Sequence, residues 1–127
     1  MKIVPVVMLV TLLLTGCAAQ TTSASYRQIG MNEAITMMAE EDGYIILDVR
    51  RADEFATGHI PDAMNIANED IGSADIPALP DKDQLILVYC RSGNRSKQAA
   101  QKLADLGYTN IVEFGGILDW PGEIVVP

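Results

Sequence analysis

The chain has 127 residues, 9 Lys and Arg against 17 Asp and Glu, a net charge of −8 and two cysteines. That length supports one domain with a hydrophobic core of useful size and leaves no room for a second. The acidic balance excludes a protein built to neutralise runs of nucleic-acid phosphate. Two cysteines and one histidine exclude a disulfide scaffold, a multi-cysteine zinc module and a histidine-rich metal site.

The apolar residues are unevenly spread, and their densest run comes first. Met1 and Lys2 precede Ile3–Leu14, which is apolar but for Pro5 and Thr11. Twelve residues are too few to span a bilayer as a helix, which takes about twenty. One early positive charge before a short apolar run is the pattern of a secretory signal peptide, here residues 1–16. The run ends in Leu14-Thr15-Gly16-Cys17, which resembles the lipobox of bacterial lipoproteins. That resemblance implies cleavage before Cys17 and acylation of Cys17. Several acyl chains, each methylene contributing about 0.8 kcal/mol, hold a protein on a membrane stably where one chain does not. The mature chain is then 111 residues long, and loss of Lys2 takes its charge to −9. With Cys17, the small polar stretch Ala18–Ser25 makes a flexible tether over residues 17–25. Its eight residues reach about 26–29 Å when extended. The expected location is a membrane-anchored exported lipoprotein, on the periplasmic side of the outer membrane if the source is a diderm bacterium.

The folded part, residues 26–127, alternates strands and helices. Tyr26–Ile29 suits a short entry strand. Asn32–Glu41 carries Ala34, Ile35, Met38 and Ala39 at helical spacing, with Glu33 three residues after Gly30 as a weak capping box, and Asp42-Gly43 stops the helix. Tyr44–Val49 and Gln84–Tyr89 are continuous apolar runs, which fit strands covered on both faces, as in a parallel sheet. Ser96–Leu106 sets Ala99, Ala100, Leu103 and Leu106 on one side, with Gly107 as its stop, and Ile111–Phe114 is a further strand. Such alternation argues a layered α/β domain. The acidic residues between Asp75 and Asp83 read as a solvated surface around turns at Pro77 and Pro80. Trp120 and the set Met31, Met37, Met38 and Met64 read as packing.

The chemistry concentrates at Cys90, which ends the second apolar run and opens Cys90-Arg91-Ser92-Gly93-Asn94-Arg95-Ser96 before a helix. The carboxyl end of a buried strand lies at the crevice where α/β sheets bind ligands. The residues that follow can curl their N–H groups around the sulfur, and Gly93 permits the curvature. The next helix aims its positive end at the same place. Arg91 and Arg95 add fixed positive charge. Together these features make a nucleophile and an anion site.

Several segments together resemble a single-domain rhodanese. They are Leu47-Asp48-Val49-Arg50, Glu54-Phe55, Gly58-His59-Ile60-Pro61-Asp62-Ala63, Tyr89 through Ser96, Leu106-Gly107-Tyr108, and Gly115-Gly116-Ile117 leading to Trp120. Many relatives carry Gly where this chain has Asp62, a change not expected to touch the chemistry. The resemblance implies a three-layer domain with a central parallel sheet of about five strands flanked by helices. It also implies a sulfurtransferase that moves sulfane sulfur from thiosulfate to cyanide or a thiol through a persulfide on Cys90, with Arg91, Ser92, Gly93, Asn94 and Arg95 holding substrate. No cofactor or metal is called for. The partners are a small-molecule donor and acceptor and, through Cys17, a membrane, with the protein a monomer. Asp48, Arg50, Glu54 and His59 are read as structural elements near the site, Arg50 and Glu54 having the spacing of a helical ion pair.

Two other readings compete with sulfur transfer. Phosphatases and arsenate reductases of this fold also pair a loop Cys with an Arg, but Arg95 follows Cys90 by five positions, one fewer than in the phosphatase pattern. A non-catalytic binding module would have lost the cysteine, and a disulfide-based redox sensor would need a second cysteine in the domain. The export reading has a direct check. Intact mass spectrometry of the native protein is expected to show residues 1–16 removed and acyl groups on Cys17; a full-length, unmodified mass would refute it.

Overall fold

The computed structural model describes residues 24–127, so the expected signal peptide, Cys17 and most of the expected tether lie outside the described residues. Five strands pair in parallel: β1 (Arg27–Gln28), β2 (Ile45–Asp48), β3 (Met64–Asn65), β4 (Ile86–Cys90) and β5 (Ile111–Gly116), in the order β1-β5-β4-β2-β3. Three helices accompany them: α1 (Met31–Glu40), α2 (Ala52–Ala56) and α3 (Asn94–Asp105), with 3-10 turns at Asn68–Asp70 and Ile117–Asp119. This is the expected α/β class with the expected number of strands.

Every residue of β4 is buried, as a continuous apolar run requires when both faces of a parallel sheet are covered. Alternate side chains serve opposite cores. Leu47, Val88, Cys90 and Ile111 face α3, which buries Ala99, Ala100 and Leu103 against them. Ile46, Leu87, Tyr89, Val112 and Phe114 face the other way, onto Ala34 of α1 and the partly buried Met31, Met37, Met38 and Trp120. The methionines and Trp120 are packing residues, as expected. The acidic side chains at Asp75 and Asp83 are exposed, yet their segment is pinned: Leu79 is buried, the Tyr108 hydroxyl donates to its carbonyl at 2.6 Å, and Lys82 lies 4.2 Å from the Tyr108 ring.

Two local expectations are corrected. The capping box at Glu33 is absent: α1 starts at Met31 with Gly30 as its cap, a residue with no side chain to bond the turn. Arg50 also makes no helical pair with Glu54, because α2 begins only at Ala52 and Arg50 lies before it. Its guanidinium instead folds back on Asp48, with Nη2 donating to Oδ2 at 2.6 Å and Nε donating to Oδ1 at 3.0 Å. Nη2 also donates to the Gly58 carbonyl at 2.7 Å. Asp48 and Arg50 are 0% and 5% exposed. Burial pulls the Arg50 pKa down, and hydrogen bonding and attraction from Asp48 more than offset it, leaving the group firmly charged. Asn65 completes the arrangement, its Nδ2 donating to the carbonyls of Asp48 and Arg50 at 2.9 Å each. This ties the edge strand β3 and the start of α2 to the carboxyl end of β2.

Removing one member of a buried ion pair strands the other charge and costs about 3–5 kcal/mol. Asp48→Ala is therefore expected to lower unfolding free energy in urea by about that amount. Asp48→Leu combined with Arg50→Leu should cost less than Asp48→Ala alone, and equal costs would show that the stranded charge is not what destabilises.

Candidate active site

Cys90 is the last residue of β4 and is 1% exposed. The chain then turns through Arg91, Ser92 and Gly93 into α3. Gly93, at φ +113°, takes the left-handed conformation that ends the curl and caps the helix, a geometry glycine adopts without a Cβ clash. Its N–H donates to Cys90 Sγ at 3.0 Å. Ser96, one turn into α3, is fully buried with its Oγ 3.3 Å from the same sulfur. The amino end of α3 adds its positive pole.

The expected site residues divide by position. Arg91, Ser92 and Asn94 are exposed around the curl, whereas Gly93 is buried beneath it. Arg95 is half-buried and committed: Nη1 and Nη2 donate to Glu54 Oε1 and Oε2 at 2.6 and 3.0 Å. The partner expected for Glu54 was Arg50; the structure brings in Arg95 across 41 residues of sequence. The Arg95 guanidinium holds the Glu54 carboxyl down to about 2, and Glu54 in turn raises the Arg95 pKa. Among the described residues no carboxylate pairs with Arg91, whose charge is thus available to an incoming anion.

His59 is where a structural residue would be. Its ring stacks on Phe55 at 3.7 Å between centroids, Nδ1 lies 3.1 Å from the Phe55 carbonyl, and its backbone pairs in both directions with Val125 at 2.9 Å. Nothing brings it to Cys90. Asp48 and Arg50 lie at the end of the adjacent strand and shape the base of α2, which carries Glu54 to Arg95. A cavity of about 520 Å³ bounded by Met38, Tyr44, Ile60 and Trp120 lies on the α1 side of the sheet, away from the sulfur.

One residue of the site was not singled out from the sequence. Glu113 of β5 is 0% exposed, and its Oε2 accepts from Ser96 Oγ at 2.8 Å and from the Gly115 N–H at 2.7 Å. A carboxylate inside the apolar run Ile111–Phe114 was the available signal, since an acid placed in a strand buried on both faces must find partners. Among the described residues no group of three or more His, Cys, Asp or Glu is arranged to hold a metal ion.

A sulfur at the carboxyl end of a central parallel strand, bordered by a backbone curl and a helix amino end, defines the buried-thiol site of an α/β domain. Comparison with known proteins gives it a family. Residues 31–123 match the Rhodanese-like domain, and the chain belongs to that family. It is 34% identical over 73 residues to the thiosulfate sulfurtransferase PspE of Escherichia coli (strain K12), covering 58% of this chain and 70% of that protein. It is 32% identical to the thiosulfate sulfurtransferase GlpE of Pseudomonas entomophila (strain L48), covering 79% and 93%. Among solved structures, a rhodanese with anions from E. coli superposes with a TM-score of 0.60 at 31% identity, over 66% of this chain and 99% of the other. The human single-domain sulfurtransferase TSTD1 gives a TM-score of 0.62 at 26% identity, over 72% and 91%.

The Glu54–Arg95 pair sets a pH dependence of stability. Its folded-state pKa of about 2 lies below the ordinary 4.5 of a glutamate, so its contribution is complete above pH 4.5 and is lost as pH falls toward 2. Glu54→Gln is expected to cost about 1 kcal/mol near neutral pH, a modest figure because both side chains keep some contact with water. The gap between wild type and Glu54→Gln in urea midpoints should narrow below pH 4.5 and close only near pH 2; a gap independent of pH would show that the pair is not its source.

Proposed function

We propose that this chain is a sulfurtransferase that takes the outer sulfur of thiosulfate, or of a similar sulfane donor, and passes it to cyanide or a small thiol through a persulfide on Cys90. The observation that carries the reading is the seating of Cys90 Sγ: it ends β4, accepts the Gly93 N–H at 3.0 Å and faces a loop whose Arg91 is free of carboxylates among the described residues. Family membership and relatives named thiosulfate sulfurtransferases support the same chemistry.

In the first half-reaction the Cys90 thiolate attacks the outer sulfur of thiosulfate. A sulfur–sulfur bond forms to Cys90, the bond to the sulfonate sulfur breaks, and sulfite leaves with the electron pair. Negative charge then rests on the terminal persulfide sulfur, where the Gly93 N–H, the loop amides and the pole of α3 stabilise it. In the second half-reaction cyanide attacks that terminal sulfur, thiocyanate leaves, and the Cys90 thiolate returns. Atoms and charge balance in both steps with no cofactor. Arg91 draws the dianionic donor to the mouth, and Arg95, spent on Glu54, holds the outer wall of the loop rather than the substrate. The burial of Cys90 favours donors whose reactive sulfur projects from a small head.

Export and acylation at Cys17 belong to the same proposal and rest on the Leu14–Cys17 pattern. The protein would then act as a monomer at a membrane surface. The chemical test is incubation of the domain with thiosulfate followed by intact mass measurement. A gain of one sulfur atom that disappears on addition of cyanide, together with release of thiocyanate, is expected. Cys90→Ser should show neither. An unchanged mass, or the same gain in Cys90→Ser, would sink the proposal.

A further inference from the structure

Behind the sulfur lies a buried acid that the transfer steps above do not use. Ser96 Oγ is the hub of a short chain of polar groups closed off from water. It lies 3.3 Å from Cys90 Sγ, 2.8 Å from Glu113 Oε2 and 2.9 Å from the Gly93 carbonyl oxygen. Glu113 Oε2 also accepts the Gly115 N–H at 2.7 Å, whereas Oε1 is buried with no partner. A serine hydroxyl has one proton to give, so it cannot serve the sulfur and a carboxylate together.

Two arrangements of the protons satisfy this chain unequally. With a Cys90 thiol and a Glu113 carboxylate, the thiol S–H donates to Ser96 and Ser96 donates to Oε2, and half of an ionised carboxylate remains bare in the interior. With a Cys90 thiolate and a protonated Glu113, Oε2–H donates to Ser96 Oγ, and the Ser96 O–H turns to the sulfur beside the Gly93 N–H. The bare Oε1 is then a neutral carbonyl oxygen, which tolerates the loss of a partner far better than a carboxylate oxygen does. The thiolate gains a second donor in the same exchange.

We propose that Glu113, acting through Ser96, is a positioning residue that holds the Cys90 proton while the sulfur is a thiolate. The S–H bond breaks as Ser96 Oγ takes that proton, and the Ser96 hydroxyl proton passes to Glu113 Oε2. One negative charge moves from carboxylate to sulfur, and no electron, proton or water leaves the chain of three. The reverse exchange returns the thiol. The other charges around the loop are Arg95, which is already bound by Glu54 of α2 and also feels Glu69 of the 3-10 turn, and Arg91 on the exposed side. The strand neighbours of Glu113 are Val88 of β4 and Gln28 of β1, neither of which ionises.

The inference rests on Cys90 being the working nucleophile of the proposed reaction, but its test needs no thiosulfate, so failure of one is separable from failure of the other. The test is the pH dependence of Cys90 alkylation by iodoacetamide. Two groups sharing one proton lose their protons in two macroscopic steps. Wild-type reactivity is therefore expected to rise to a plateau and rise again at higher pH. Glu113→Gln keeps the shape and cannot take the proton; it should show one step and react at least about tenfold more slowly at the plateau pH, the effect of one unit in proton affinity. Ser96→Ala removes the bridge and should lose the plateau as well. A plateau that survives in either variant overturns the proposal. Should the variants not fold, infrared titration of the wild type decides it. The S–H stretch must fall at the first step while a carboxylic-acid C=O stretch persists to the second, and loss of the acid band first overturns the assignment.

Discussion

The curl around Cys90 can close only where β5 passes beneath it without side chains. A Cβ on Gly116 would sit 2.0 Å from the Arg91 carbonyl oxygen and 2.6 Å from Ser92 Cα, well inside any tolerable contact. The approach follows from an irregularity in the sheet. Val88 pairs with Glu113, but Cys90 pairs with Gly116, so β5 spends an extra residue against β4 just below the loop. That slip brings glycine under Arg91, turns the Gly115 N–H onto Glu113, and lets the Leu118 N–H donate to the Arg91 carbonyl at 3.3 Å. The loop thus rests on backbone, which cannot change rotamer, and the Gly93 N–H is aimed at the sulfur by a rigid support.

Two ion pairs surround this support and do different work. Asp48 and Arg50 are buried, two residues apart in sequence and bonded further to Gly58 and Asn65, so they act as an internal bracket joining β2, β3 and the segment after α2. Glu54 and Arg95 meet near the surface and fasten α2 to the first turn of α3. An arginine held by a carboxylate attracts a passing anion weakly. The pairing therefore leaves the cationic character of the mouth to Arg91, a local exception on a chain of net charge −8.

The long elements could be read from the residues because burial on both faces leaves an unmistakable mark. Ile45–Leu47 and Ile86–Cys90 are continuous apolar runs, and the Ala99, Ala100, Leu103 stripe marks α3. Elements held by polar backbone contacts left no such mark. β3 is two residues whose place is set by Asn65 reaching the Asp48 and Arg50 carbonyls, and α2 is five residues with none buried. The sulfur's place was legible because strand end, glycine and helix start follow in order. The partners of Arg50 and Glu54 were not, because spacing along a chain says nothing about an arginine arriving from another helix. Asp62 shows the same limit. Among the described residues it is the non-glycine residue at positive φ, +67°, a left-handed conformation that glycine adopts more readily.

The match to the family runs from Met31 to Glu123, and the mechanical unit continues past it. Val125 exchanges two backbone hydrogen bonds with His59, and Ile124 packs so closely on Gly58 that a Cβ there would come within 2.7 Å of its side chain. His59 in turn stacks on Phe55, the residue after the Glu54 that fastens Arg95. Ile124 and Val125 therefore work as a buckle: the outer wall of the sulfur's loop is strapped down by residues that follow the matched segment 31–123.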